Sequence, residues 1–94
     1  MKFMLMTAVL FWALSVQGAP RLRGHVNINK ATPQELILLP GIGPKRAQAI
    51  VGLRRKRPFR RAVQLRRVRG IGRRTMRKLL PYVRVHGPTD LKRF

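Results

Sequence analysis

Twice in this chain two glycines flank an isoleucine, at Gly41-Ile42-Gly43 and at Gly70-Ile71-Gly72, and both times basic residues follow at once. Lys45 and Arg46 come after Pro44 in the first copy; Arg73 and Arg74, then Thr75, follow in the second. These residue types at this spacing suit the capture of an anion. Glycine lets the backbone take φ > 0 and come close to a ligand. Amides at the start of a helix have no partner within it and carry the positive end of the helix dipole. Cations in a first helical turn oppose that dipole and destabilise a free helix. The conflict is relieved if a phosphate sits between the dipole and the cations. The candidate binding set is therefore Gly41, Ile42, Gly43, Lys45, Arg46, Gly70, Ile71, Gly72, Arg73, Arg74 and Thr75. Gly43 and Gly72 are the positions where a Cβ is expected to block both the turn and the phosphate.

Catalysis finds no comparable set. The only acids are Glu35 and Asp90, too far apart in sequence to suggest a two-metal centre. There is no cysteine, which excludes thiol chemistry, disulfides and the usual zinc sites. His25 and His86 each lack a neighbouring ligand and read as surface side chains. The expectation is a binding protein with no cofactor, no metal and no catalytic residue.

The elements that must carry the two turns form a repeat offset by 29 residues. Leu36, Leu39, Gly41, Ile42, Gly43 and Ile50 fall on Leu65, Val68, Gly70, Ile71, Gly72 and Leu79. In the first copy Thr32-Pro33-Gln34-Glu35 is a capping box with proline at the first helical position. Pro40 and Gly41 end that helix within about two turns. Pro44 starts a second helix with Ala47, Ile50, Val51 and Leu53 on one face, and Arg46, Arg54, Arg55 and Arg57 largely off it. Pro58 ends it, and Phe59 turns back into the core. The second copy predicts a short helix over 62–67 and a last one over 73–80, with Met76, Leu79 and Leu80 inward and Pro81 as its stop. No run alternates long enough to predict a strand in a sheet, and Val26 to Asn29 reads as an extended lead-in. The predicted fold is all-α, a tandem helix-hairpin-helix of about four short helices plus a connector.

Charge narrows the partner. Lys and Arg number 22 against two acids, a formal net charge of +20 on 94 residues. Such an excess favours a polyanion beside the protein, and nucleic acid leads. Residues 1–18 read as a secretory signal, with Lys2 as the positive start, an apolar run from Phe3 to Val16, and a cut expected between Gly18 and Ala19. The run is short for a bilayer span. A cleaved leader predicts a periplasmic or secreted protein; an uncleaved one would anchor it in the cytoplasmic membrane, facing outward. The remaining divisions are a linker over 19–25, the domain over 26–85 and a tail over 86–94.

The run from Val26 to Thr32, then Glu35-Leu36 and Leu39-Pro40-Gly41-Ile42-Gly43, resembles the start of the DNA-binding domain of the ComEA competence proteins. Ala47, Ile50, Pro58-Phe59 and Gly70-Ile71-Gly72 continue that pattern, so the resemblance spans about Val26 to Val85. It implies two helix-hairpin-helix motifs packed with pseudo-twofold symmetry, each hairpin holding a phosphate across a minor groove. It also implies a role in DNA uptake during natural transformation, with other DNA-uptake proteins as partners. The chain departs from the family at Arg60, Arg61 and Gln64, where an acid and a small cap are usual; this predicts a poorly capped third helix. Single-strand binders stack bases on aromatics, but beyond the leader only Phe59, Tyr82 and Phe94 remain. Duplex DNA is thus expected over single strands, without base-specific reading, since no long recognition helix is evident. A membrane-active cationic protein is the rival reading, and membrane binding a secondary expectation, because the helices are short and lack a bulky aromatic face.

Overall fold

The Thr32 hydroxyl accepts a hydrogen bond from the Glu35 amide (3.2 Å), and the Glu35 carboxylate accepts one from the Thr32 amide (2.9 Å). This reciprocal cap opens α1 (Pro33–Leu36). In the computed structural model, which describes residues 21–94, α1 tightens into i→i+3 bonds as it nears Pro40, with Leu39 donating to the Leu36 carbonyl (3.1 Å). Pro44 then starts α2 (Pro44–Lys56), which presents Ala47, Ile50 and Val51 to the core and stops before Pro58.

The second unit follows the same plan with a tighter first element. Residues Ala62–Arg67 form a 3-10 helix rather than an α-helix. Its start is better served than the sequence predicts: the Gln64 side-chain oxygen accepts from the amides of Arg60 (2.8 Å) and Arg61 (3.3 Å). Gln64 thereby does for this unit what Glu35 does for the first. The reciprocal half is missing because a guanidinium at Arg61 has no acceptor to offer. Helix α3 (Arg73–Leu79) closes the unit and passes into a 3-10 turn, Leu80–Tyr82.

The repeat is most legible in what it buries. Leu36 and Leu65, Leu39 and Val68, Ile42 and Ile71, Ala47 and Met76, and Ile50 and Leu79 are each buried in both copies. Phe59, Val26 and Ile28 join them in one cluster. Each fully buried Leu, Ile or Phe contributes roughly 1.5–3 kcal/mol, so the two units are welded through these matched positions. Leu80 departs from its expected inward place and is 48% exposed.

The all-α expectation needs correction. Strand β2 (Val26–Asn27) pairs in parallel with β3 (Val83–Arg84), Val26 opposite Val83. Strand β1 (Leu22–Arg23) pairs antiparallel with β4 (Lys92–Arg93), Leu22 opposite Arg93. Each strand has only two residues, too few to show alternation, and each finds its partner at the other end of the domain. The expected linker and tail are therefore joined to each other, and Leu91 is buried in the core. Among the described residues no helix is long and apolar enough to cross a membrane; the expected leader lies outside them.

Candidate nucleic-acid interface

The two glycine turns have the same backbone. Gly41 and Gly70 take φ of +77° and +92°, the left-handed region that glycine enters without penalty. The next amide folds back in each copy, Ile42 to the Leu39 carbonyl (3.2 Å) and Ile71 to the Val68 carbonyl (3.1 Å). Both isoleucines are buried, pinning the turns to the core. Gly43 (φ −97°, ψ −172°) and Gly72 (φ −94°, ψ −168°) then cap the helices in extended conformation. The first helical bonds also match, with Ala47 donating to Gly43 and Met76 to Gly72, both at 2.9 Å.

This divides the roles of the glycines differently from the sequence expectation. The turn needs glycine at Gly41 and Gly70. Gly43 and Gly72 have ordinary φ, and a Cβ built on either meets nothing within 4 Å. Their missing side chains leave open space over the helix start. The first-turn amides there have no acceptor within their own helices, although Pro44 removes one from the first copy.

The hairpins lie against each other through residues at equivalent places. Arg46, third in α2, donates from Nη1 to the Gly41 carbonyl (2.7 Å). Its guanidinium also lies against the other turn, where a Cβ on Gly70 would sit 2.6 Å from Nη2. Thr75, third in α3, reciprocates: its methyl would be 3.3 Å from a Cβ on Gly41. Each turn therefore abuts the helix start of the other. Arg46, expected beside Lys45 as a phosphate ligand, is also a brace between the hairpins.

Lys45, Arg73 and Arg74 are exposed at the helix starts. Neither acid neutralises this surface. Glu35 is held in its cap, and Asp90 accepts from the His25 amide at 2.7 Å. That amide, with Arg84 nearby, holds the Asp90 carboxyl below its ordinary pKa. The cations of the hairpins are left to face an external anion.

Three residues took structural parts that the sequence did not assign. Arg54, expected off the apolar face with the other arginines, donates from Nη1 to the carbonyls of Ala31 (2.7 Å) and Ile28 (3.2 Å). Burial, and then Arg55, lower its pKa, though a guanidinium stays charged. Asn29 exchanges two hydrogen bonds with Phe59, donating to its carbonyl (2.8 Å) and accepting from its amide (2.7 Å). Asn27, almost fully buried, donates to the Gly87 carbonyl (2.7 Å) and accepts from the Asn29 amide (2.9 Å). The lead-in is thus a polar hub joining both units to the tail.

A family model described as the helix-hairpin-helix motif matches residues 23–84, more than half of the chain. The match supports DNA as a partner of the chain. No curated protein matches the chain.

Proposed function

We propose that this chain, which belongs to the helix-hairpin-helix family, is a tandem pair of such motifs that grips duplex DNA without regard to sequence. The observation that carries the reading is the repetition of one turn geometry, at Gly41–Gly43 and Gly70–Gly72, with unneutralised cations on each helix start. Amides and cations at those places recognise phosphate, which is the same at every base pair, so the grip carries no base information. The brace from Arg46 fixes the distance between the hairpins, and a fixed distance suits two phosphates on a duplex better than a flexible single strand. Phe59 is buried, which removes one of the three aromatics that could stack on bases. No step of catalysis is assigned.

The leader-like residues 1–18 and the resemblance to the ComEA proteins support our reading that this grip works outside the cytoplasm. The protein receives incoming DNA there during natural transformation, beside other DNA-uptake proteins. Mass spectrometry of the exported protein is expected to find its N-terminus at Ala19; intact Met1 on membrane-bound protein would make it a tethered receptor instead.

The decisive experiment is binding to several unrelated duplexes of equal length across a salt series. With on the order of 4 to 6 phosphates neutralised, log K falls against log salt with a slope of roughly −4 to −5, and the duplexes bind alike. A flat response, or a tenfold preference for one duplex, would overturn the reading. Tighter binding to anionic vesicles than to DNA at matched salt would favour the membrane-active alternative.

A further inference from the structure

The ribbon formed by β1 and β4 lies outside both hairpins, yet it borders the first. Leu22 and Arg93, opposite each other across the ribbon, line a groove whose other wall is the turn itself, Gly41-Ile42-Gly43. Cross-strand partners share a face of a strand pair. Arg21 and Arg23, on either side of Leu22, line an adjoining cleft with Arg77 and Lys78 of α3, and Leu22 and Pro40 border both clefts. The ribbon is fixed rather than frayed. Arg21 and Phe94 exchange backbone hydrogen bonds at 3.0 and 2.7 Å, and the Arg23 guanidinium lies 5.4 Å from the centre of the Phe94 ring. Four cations around one cleft repel each other, and both acids of the chain are engaged elsewhere.

From this placement we infer that the β1–β4 ribbon is a third DNA-contacting element, which continues the phosphate track of the first hairpin through Arg93, Arg21 and Arg23. The inference rests on the proposed DNA-binding reading and extends its surface. A backbone strand whose phosphate is held at Gly41–Gly43 runs on past Arg93 along the groove. The next phosphates along the duplex then face the cleft between the ribbon and α3. The grip is lopsided, longer on the side of the first hairpin.

The test compares two charge-matched triple variants of the full chain on the same duplex. One is Arg21→Gln with Arg23→Gln and Arg93→Gln. The other is Arg55→Gln with Lys56→Gln and Arg57→Gln, at the far end of α2, about 18 Å from its start at 1.5 Å per residue. Glutamine keeps the backbone bonds of the ribbon, and amide exchange of Phe94 and Arg21 verifies that it stays closed. The ribbon triple is expected to lower affinity at least tenfold and to flatten the salt slope by about 2 to 3. It also shortens the smallest duplex bound at full affinity. The α2 triple is expected to change the slope by less than about 1. Equal effects of the two triples, or an unchanged footprint with the ribbon triple, would overturn the inference while leaving the hairpins as the DNA site. Loss of binding to anionic vesicles with DNA binding intact would overturn it in favour of a lipid surface. Absence of salt-dependent DNA binding by the unsubstituted chain would instead remove the reading beneath it.

Discussion

At the first hairpin the helix begins with Pro44, and its third residue, Arg46, is tied to the Gly41 carbonyl. At the second the equivalent places hold Arg73, an exposed cation with its amide intact, and Thr75, a small side chain packed on the other turn. The elements leading in differ too. A complete capping box and an α-helical turn precede the first hairpin, whereas a half box and a 3-10 helix precede the second. The helices leading out have 13 and 7 residues. Matched backbones thus carry unmatched side chains. The first hairpin has the stronger scaffold and the fewer free donors. The second has the weaker scaffold and the greater share of unengaged charge. On the proposed reading, the two similar turns divide holding the fold from holding the ligand.

The sharpest way to break this comparison is to remove charge from one hairpin at a time. Arg73→Ala with Arg74→Ala is expected to lower DNA affinity about tenfold or more and to flatten the salt slope by about 2. Lys45→Ala, which removes the one cation of the first hairpin not engaged in bracing, flattens it by about 1. Binding isotherms at four or five salt concentrations measure both. Equal slopes for the two variants would mean that the hairpins share the load evenly.

Next in size is the loss of the left-handed glycines. Gly41→Ala and Gly70→Ala each force a side chain into φ > 0 and are expected to destabilise the fold by about 1 kcal/mol or more. At Gly70 the new Cβ also displaces the Arg46 guanidinium and with it the bond to Gly41. Denaturant unfolding should therefore rank Gly70→Ala as the more damaging. The opposite ranking would place the brace outside the energetics of the fold.

Arg46→Lys sharpens the same point by keeping the charge and losing the fork. A lysine lacks the planar guanidinium that donates to the Gly41 carbonyl while lying against Gly70. The expected result is an unchanged salt slope with affinity reduced about threefold to fivefold, because the phosphate sites lose their fixed spacing. Affinity, slope and stability all unchanged would make Arg46 a plain phosphate ligand that another cation replaces.

What the sequence disclosed and what it withheld follow from the range of the interactions. The capping box at Thr32–Glu35, the proline stops and the buried faces apart from Leu80 are set by residues within a turn or two of each other. All were readable from spacing. The brace from Arg46 to the second turn, the anchoring of Arg54 on Ala31 and Ile28, and the amide hub at Asn27 and Asn29 join residues about 20 to 60 apart, a distance at which spacing carries no signal. The same holds for the ribbon, whose strands are too short to show a period and meet only because the ends of the domain return to each other. The choice between Gly41 and Gly43 as the left-handed residue was hidden for a different reason. Both are glycine, and composition alone does not say which one the turn strains.

That last distinction yields the smallest effect, and the one that best separates fold from ligand. Gly43 and Gly72 occupy the N-cap, have extended φ, and meet nothing within 4 Å of an added Cβ. Serine is a better N-cap than glycine by a few tenths of a kcal/mol, because its hydroxyl accepts from an amide of the first helical turn. In this protein that amide is proposed to serve the phosphate. Gly72→Ser is therefore expected to leave the midpoint of unfolding unchanged or slightly raised while DNA affinity falls about twofold to threefold: the hydroxyl competes for the donor and the side chain narrows the approach. Gly43→Ser should do less, since Pro44 has already removed one donor beside it. Stability and affinity moving in opposite directions in one variant cannot come from loosening of the fold. If both fall together, or if Gly72→Ser binds DNA as well as the unsubstituted chain, the open space over the helix start is not where the phosphate sits.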